Sequence, residues 1–438
     1  MQRNQNRTEV SIMKRMMSLL MLMIMLCASA IAETKPESSE RMMEWFAAQN
    51  YQAVWESMTP QMQNSISVDQ LTAIVLQSGD FRDYSLLDAN EVQGYRIYAY
   101  YVCQNNEYIY QLTIDQSGKL AGFYIQPYTT PVKTDDTIHT ETIQLRAGEA
   151  DETTAILTLP EGDGPFPAVI LVQGSGPSDL NESAYGIYPF RDLAEGLAQS
   201  GIASIRYDKY TYAHPELCTT PDFTVRTEFI IDADAALSAL EADSRINSVF
   251  LAGHSQGGML MPRIISELGA ERFHGGISIS GTPLHLWQII YRQNMDLLSG
   301  MSETDRAVYA PAIEAESDRV HALQALSVNE LPEETIFGLP AYYLWDECQT
   351  DAAECVIKND IPVLFVQGEY DWQVTMNEGL EAWKELIPQA SFVMIPSATH
   401  LLTKIDETTG TQADYRAGDH VCQEVIDVLA SWIFEQTD

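Results

Sequence analysis

Basic residues are scarce in this chain. Its 438 residues include 25 Lys and Arg against 62 Asp and Glu, a formal net charge of −37 at pH 7. A surface this acidic repels polyphosphate backbones and anionic lipid, which excludes nucleic acid and anionic membranes as partners. Its charge serves solubility in an acidic or salty medium instead. Cysteine is sparse too, with six in all, and no Cys/His spacing suggests zinc, so neither a metal nor a cofactor is expected. Beyond Cys27 the cysteines are Cys103, Cys218, Cys348, Cys355 and Cys422, an odd number that cannot form a complete disulfide framework. Cys348 and Cys355 either pair in an oxidising compartment or remain unpaired buried thiols.

Long apolar runs are confined to the beginning of the chain. Arg3, Arg7, Lys14 and Arg15 precede a run from Met16 to Leu26 broken only by Ser18, and Ala30-Ile31-Ala32 follow. Residues 1–32 therefore read as a Sec-type signal peptide, with Met13 the more usual start. The run is shorter than the roughly 20 apolar residues that span a bilayer. Leu26 stands where a lipoprotein signal has a small residue before its cysteine, which argues against a lipid on Cys27. A secreted or extracytoplasmic protein is expected, without membrane contact once the leader is cleaved.

Hydrophobic residues make up 45% and charged residues 20% of the chain, enough apolar material for a sizeable core and two domains. Residues 38–128 read as a small α+β domain. It has amphipathic stretches at Glu40 to Ala48 and Val68 to Gln77, then alternating strand-like runs at Tyr95 to Val102, Tyr108 to Ile114 and Lys119 to Ile125. A polar, Thr-rich connection, Thr129 to Thr140, places the boundary.

From Ala168 strands alternate with helices. Strands are expected at Ala168 to Gln173, Ile202 to Tyr207, Ser248 to Ala252, His274 to Ser280, Ile361 to Gln367 and Ser391 to Ile395, with a last helix from Cys422 to about Phe434. Such alternation gives a mostly parallel sheet with helices on both faces, over residues 134–438. Between about 281 and 360 the strands lapse and the sequence turns helical, acidic and aromatic, an insertion over the sheet. Its Trp287, Tyr291, Tyr342, Tyr343 and Trp345 either wall an acyl pocket as a lid or simply pack that lid onto the sheet.

Gly253-His254-Ser255-Gln256-Gly257 matches the Gly-x-Ser-x-Gly elbow, directly after a strand and opening a helix. Small residues at its two ends let the backbone bend sharply enough to present the Ser255 hydroxyl. A serine hydroxyl is a weak nucleophile, so it needs a base, and the base needs an orienting carboxylate. In the order Ser, Asp, His, the histidines late enough are His400 and His420. His400 follows a strand and a short loop, whereas His420 lies in a polar run and reads as a surface residue. Asp371 ends the strand Ile361 to Gln367, with Glu369 as the competing acid. Gln173-Gly174-Ser175-Gly176-Pro177 follows the first strand, where an oxyanion hole is completed. The Gln256 amide is one expected donor, and that of Ser175 or Gly176 the other. Neither a P-loop lysine nor dinucleotide-type glycine spacing is present, so this loop does not bind phosphate. Arg206, Asp208 and Lys209, at the end of a central strand, suggest a buried ion pair beneath the site.

These segments, namely Gly-Ser-Gly-Pro-Ser-Asp, Arg206-Tyr207-Asp208-Lys209, Gly-His-Ser-Gln-Gly-Gly and Gly368-Glu369-Tyr370-Asp371-Trp372-Gln373-Val374, resemble bacterial α/β-hydrolase carboxylesterases related to the dienelactone-hydrolase and acyl-peptidase groups. The resemblance covers about Thr134 to the end. It implies an α/β-hydrolase fold, a triad of Ser255, Asp371 and His400, and cleavage of small carboxylic esters without a metal. Tyr210-Thr211 replace the usual Arg-Gly, and Thr399 stands where Asn often precedes the histidine. The region Tyr51 to Ile125 is similar to small NTF2-like domains that precede some of these hydrolases. Peptidase or acyltransferase chemistry on the same triad, or a non-catalytic binding protein on a hydrolase scaffold, are the alternatives.

Overall fold

The computed structural model describes residues 37–77, 81–92, 95–104, 107–127, 138–219, 223–301, 303–416 and 418–437. The expected leader and most of the expected interdomain connection lie outside the described residues. No helix among the described residues is long and apolar enough to cross a membrane.

The N-terminal region is a four-stranded antiparallel sheet in the order β1-β2-β3-β4, formed by β1 (Asp83–Val92), β2 (Tyr95–Cys103), β3 (Glu107–Ile114) and β4 (Leu120–Pro127). Period-two alternation turns Tyr98, Tyr100 and Val102 of β2, and Tyr110, Leu112 and Ile114 of β3, to one face. Met42, Met43, Phe46, Val54, Leu71 and Val75 from the preceding helices cover that face, and the cluster is a core of its own. The strand β1 and the helices Tyr51–Ser57 and Pro60–Ser65 are additions to the sequence reading. β1 is an edge strand with Leu86 and Leu87 exposed, so it carries no buried alternation to betray it.

The second sheet has eight strands in the order β14-β13-β10-β9-β7-β8-β6-β5. Its strands are β5 (His139–Leu145), β6 (Thr153–Leu159), β7 (Phe166–Val172), β8 (Ala203–Tyr207), β9 (Ile246–His254), β10 (Gly275–Ile279), β13 (Val363–Gly368) and β14 (Ser391–Ile395). From β8 through β14 every pairing is parallel, while β5 and β6 add an antiparallel edge. The expected connection to Thr140 thus runs into β5. That strand, His-Thr-Glu-Thr-Ile-Gln-Leu, is an exposed edge and lacks the apolar run that marks the central strands.

Both faces of the central strands are buried. Val169 and Leu171 of β7 pack with Phe190, Leu193, Leu197, Val425, Leu429 and Ile433 from the helices Pro189–Gln199 and Gln423–Glu435. Ile170 and Val172 face the other way, toward Leu237, Leu240, Ile264 and Ile265 of the helices Ile231–Ala242 and Gln256–Leu268. The insertion follows β10 and carries the helices Leu286–Ser299, Glu303–Leu323 and Ala341–Glu347. A hairpin of two-residue strands, β11 (Thr335–Ile336) and β12 (Leu339–Pro340), completes it and is too short to read from sequence. The insertion has its own small core around Trp287, Val320, Ile336 and Leu344.

Strand order fixes where a site can form. After β7 the chain crosses to β8 on one side and returns to β9 on the other, so the loops leaving the carboxyl ends of β7 and β9 diverge and leave a crevice.

Candidate active site

The nucleophile elbow sits at that crevice. β9 ends at His254, the helix begins at Gln256, and between them Ser255 takes φ 54° and ψ −116°. This is a backbone region that non-glycine residues enter only under constraint. The Ser255 amide is held by the Ile279 carbonyl of β10 at 2.8 Å. A Cβ on Gly253 would lie 2.1 Å from the Gly257 carbonyl oxygen, and one on Gly257 would lie 2.3 Å from that of Val172. Only glycine fits at either position, which is why the elbow has the sequence it has.

Three side chains from three strand ends meet there. His400 Nε2 lies 2.9 Å from Ser255 Oγ, and His400 Nδ1 lies 2.8 Å from Asp371 Oδ2. The other Asp371 oxygen accepts the backbone N–H groups of Gln373 at 3.0 Å and Val374 at 2.9 Å. The carboxylate is therefore locked in orientation, and with Nδ1–H donated to it His400 turns an unprotonated Nε2 toward the hydroxyl. Asp371 and His400 are 5% and 3% exposed, whereas Ser255 is half-buried and open to a substrate. Glu369 instead accepts the Ser397 amide. His420 sits apart, its half-exposed ring paired with Asp192.

Gly174 packs on Ser255, since a Cβ at Gly174 would be 3.0 Å from the serine Cβ. Among the described residues the amides of Ser175, Gly176 and Gln256 donate to no protein acceptor. These amides at the mouth of the crevice can serve a developing oxyanion.

Behind this surface lies a layer of buried charge. Lys209 Nζ donates to the carbonyls of Gly174 at 2.7 Å and Gly176 at 3.0 Å, and pairs with Glu228 at 2.7 Å. Burial pushes its pKa below the ordinary 10.5, with the Glu228 carboxylate opposing. The Tyr343 hydroxyl accepts from the Gln256 side chain at 2.8 Å. Glu182 Oε1 takes the Gly174 N–H at 2.6 Å and faces His254 Nδ1 at 3.0 Å, while His254 Nε2 faces the His400 carbonyl at 2.9 Å. With an acceptor at each ring nitrogen, the protonated form of His254 is favoured. Burial works against that charge, but Glu182, the His400 carbonyl and Asp371 outweigh it and raise the pKa above 6.5.

Of the three residues expected to form an ion pair, Lys209 does. Arg206 instead donates to Thr158 and Asn181, with burial lowering its pKa to about 10. Asp208 accepts the Leu180 amide, and burial raises it to about 6.

The insertion aromatics mostly face inward. Trp287 is buried in the insertion's own core, with Tyr291 and Trp345 packed against it, and Tyr342 leans on Trp345. Tyr343 is 1% exposed and reaches down to Gln256 rather than out to the crevice. All five described cysteines are free, Cys348 and Cys355 included. Glu182, Glu228 and the Tyr343 hydroxyl went unseen in the sequence reading.

Residues 167–404 match the family described as alpha/beta hydrolase fold. Esterase EstD of Thermotoga maritima is 29% identical over 401 residues, covering 88% of this chain and 92% of that protein. Among solved structures, Est1E from Butyrivibrio proteoclasticus is similar at 18% identity, covering 68% of this chain and 98% of its own, with a TM-score of 0.44. A dienelactone hydrolase from Anabaena variabilis has the same identity and coverage, with a TM-score of 0.40. The family match spans more than half of the chain and takes in the strand-to-helix elbow and all three converging side chains: this chain belongs to the alpha/beta hydrolase fold family.

Proposed function

We propose that the protein cleaves carboxylic esters through an acyl-enzyme intermediate, with Ser255 as nucleophile, His400 as general base and acid, and Asp371 as the orienting carboxylate. It is an esterase of the carboxylesterase type, a reading supported by its likeness to EstD over most of both chains. The observation that carries the mechanism is the unbroken relay from Asp371 Oδ2 through His400 to Ser255 Oγ, with both contacts under 3 Å. Ser255 Oγ attacks the ester carbonyl as Nε2 takes its proton. The imidazolium that forms is stabilised by Asp371 and returns the proton to the leaving alcohol. Amides of Gln256 and Ser175, with Gly176 as the alternative to Ser175, hold the oxyanion. Water then repeats the sequence on the acyl-enzyme.

The substrate is a small ester. The chain is secreted through its leader, and the N-terminal sheet region is of the NTF2-like kind. Small-ester turnover and labelling by a fluorophosphonate are expected to vanish together in Ser255→Ala, because both need the same activated hydroxyl. Labelling that survives would place the nucleophile elsewhere. A panel of esters set beside matching anilides separates esterase from peptidase action.

A further inference from the structure

We propose that Lys209 and Glu182 are positioning residues that clamp the Gly174 backbone so that the Ser175 N–H points at the oxyanion. The proposal rests on the assignment of Ser255 as nucleophile. An ammonium has three N–H bonds, and Lys209 spends them on the Gly174 carbonyl, the Gly176 carbonyl and Glu228. The residue is 1% exposed, and Phe229 covers it with its ring centroid 4.1 Å from Nζ. Nothing remains to meet a substrate, so any influence on catalysis passes through the loop.

The direction of that influence follows from peptide geometry. The Gly174–Ser175 peptide is trans, so the Gly174 C=O and the Ser175 N–H point in opposite directions from one rigid plane. A lysine that draws the carbonyl inward turns the amide outward, to the side where the loop meets Ser255. The preceding peptide is fixed separately. Its Gly174 N–H is held by Glu182 Oε1 at 2.6 Å, and Glu182 is anchored by the His254 ring. Two opposite charges thus grip the two sides of one residue. A loop rich in glycine has little stiffness of its own, so a buried clamp supplies the preorganisation that an oxyanion donor needs.

Deleting the lysine alone leaves Glu228 buried and uncompensated, which is strongly destabilising. The test therefore uses the pair Lys209→Met with Glu228→Gln, and separately Glu182→Gln, each checked for a cooperative melt. Active sites are counted by the extent of fluorophosphonate labelling, and kcat and KM on a small ester are expressed per labelled site. The double variant is expected to lose about a hundredfold in kcat with KM within about threefold, the signature of an interaction made in the transition state. Affinity for an aryl trifluoromethyl ketone, whose adduct carries an oxyanion, is expected to fall in parallel. Glu182→Gln is expected to lose about tenfold by the same measures and carries the test if the double variant fails to fold.

A folded variant whose kcat per labelled site stays within about twofold of wild type would overturn the aiming role while leaving the nucleophile assignment intact. Labelling that persists in Ser255→Ala would overturn both.

Discussion

Asp371→Asn is the substitution whose effect the geometry specifies most fully. The side chain accepts two backbone N–H groups on one oxygen and faces His400 Nδ1 with the other. An asparagine keeps only one acceptor. Its oxygen must stay toward Gln373 and Val374, because the opposite orientation would set an NH2 against two donors. The amide nitrogen then faces His400 Nδ1. A donor there makes Nδ1 the acceptor, drives the proton to Nε2, and leaves Ser255 Oγ facing an N–H that cannot take its proton. The fold keeps both backbone bonds, so the loss is one of tautomer and charge compensation rather than of structure. The expected cost is about 10³- to 10⁴-fold in kcat, or ~4–5.5 kcal/mol at about 1.36 kcal/mol per decade. Steady-state rates on a 4-nitrophenyl ester, beside a thermal melt, make the measurement. Glu369→Gln is the control, since Glu369 only caps the Ser397 amide. A folded Asp371→Asn that keeps more than about a tenth of the rate, or a larger loss from Glu369→Gln, refutes the reasoning.

Three further outcomes are expected. Tyr343→Phe removes the hydroxyl that accepts from the buried Gln256 side chain, leaving that donor unpaired, so denaturant unfolding is expected to show a loss of about 1–3 kcal/mol. The His254 pKa is raised in the folded state by Glu182, with burial opposing; its contribution to stability is therefore complete below the unfolded value near 6.5 and fades as pH rises through the raised one, and Glu182→Gln is expected to flatten that part of a melting-temperature profile. Glu141 is held down to about 2 by Arg245 and His139, so its contribution is present above the ordinary 4.5 and is lost as pH falls toward 2; the pair is solvent-screened, and Glu141→Gln is expected to cost less than about 1 kcal/mol at pH 7 and to lose that cost near pH 2.

The parts of the molecule that sequence exposes are those with a local signature. β7, β9, β10 and β13 are buried on both faces, so each reads as an apolar run, and the residues that end or follow them come into view with them. Ser255 and Asp371 stand out because each follows such a strand, and His400 because it comes a short loop after the apolar run of the edge strand β14; the structure brings the three together. The edge strands β1 and β5 carry no such run. Glu182 and Glu228 are two carboxylates among 62 acidic residues, and nothing in their neighbours shows that one will meet a glycine amide and the other a buried lysine. Those contacts are set by the pairing of β7 with β8 and β9, which is a property of the whole sheet. The insertion aromatics show the same limit, because a tryptophan that walls a pocket and one that fills a small core have the same sequence.

The most direct test is to look for the covalent intermediate itself. The enzyme is mixed with a 4-nitrophenyl ester, quenched in acid within the burst phase, digested and analysed by mass spectrometry. The account expects one acyl group per active site, carried on Ser255, with a burst of 4-nitrophenol of matching size. A burst whose acyl group sits on another residue, or turnover in which no acyl group is ever found on Ser255, would contradict it.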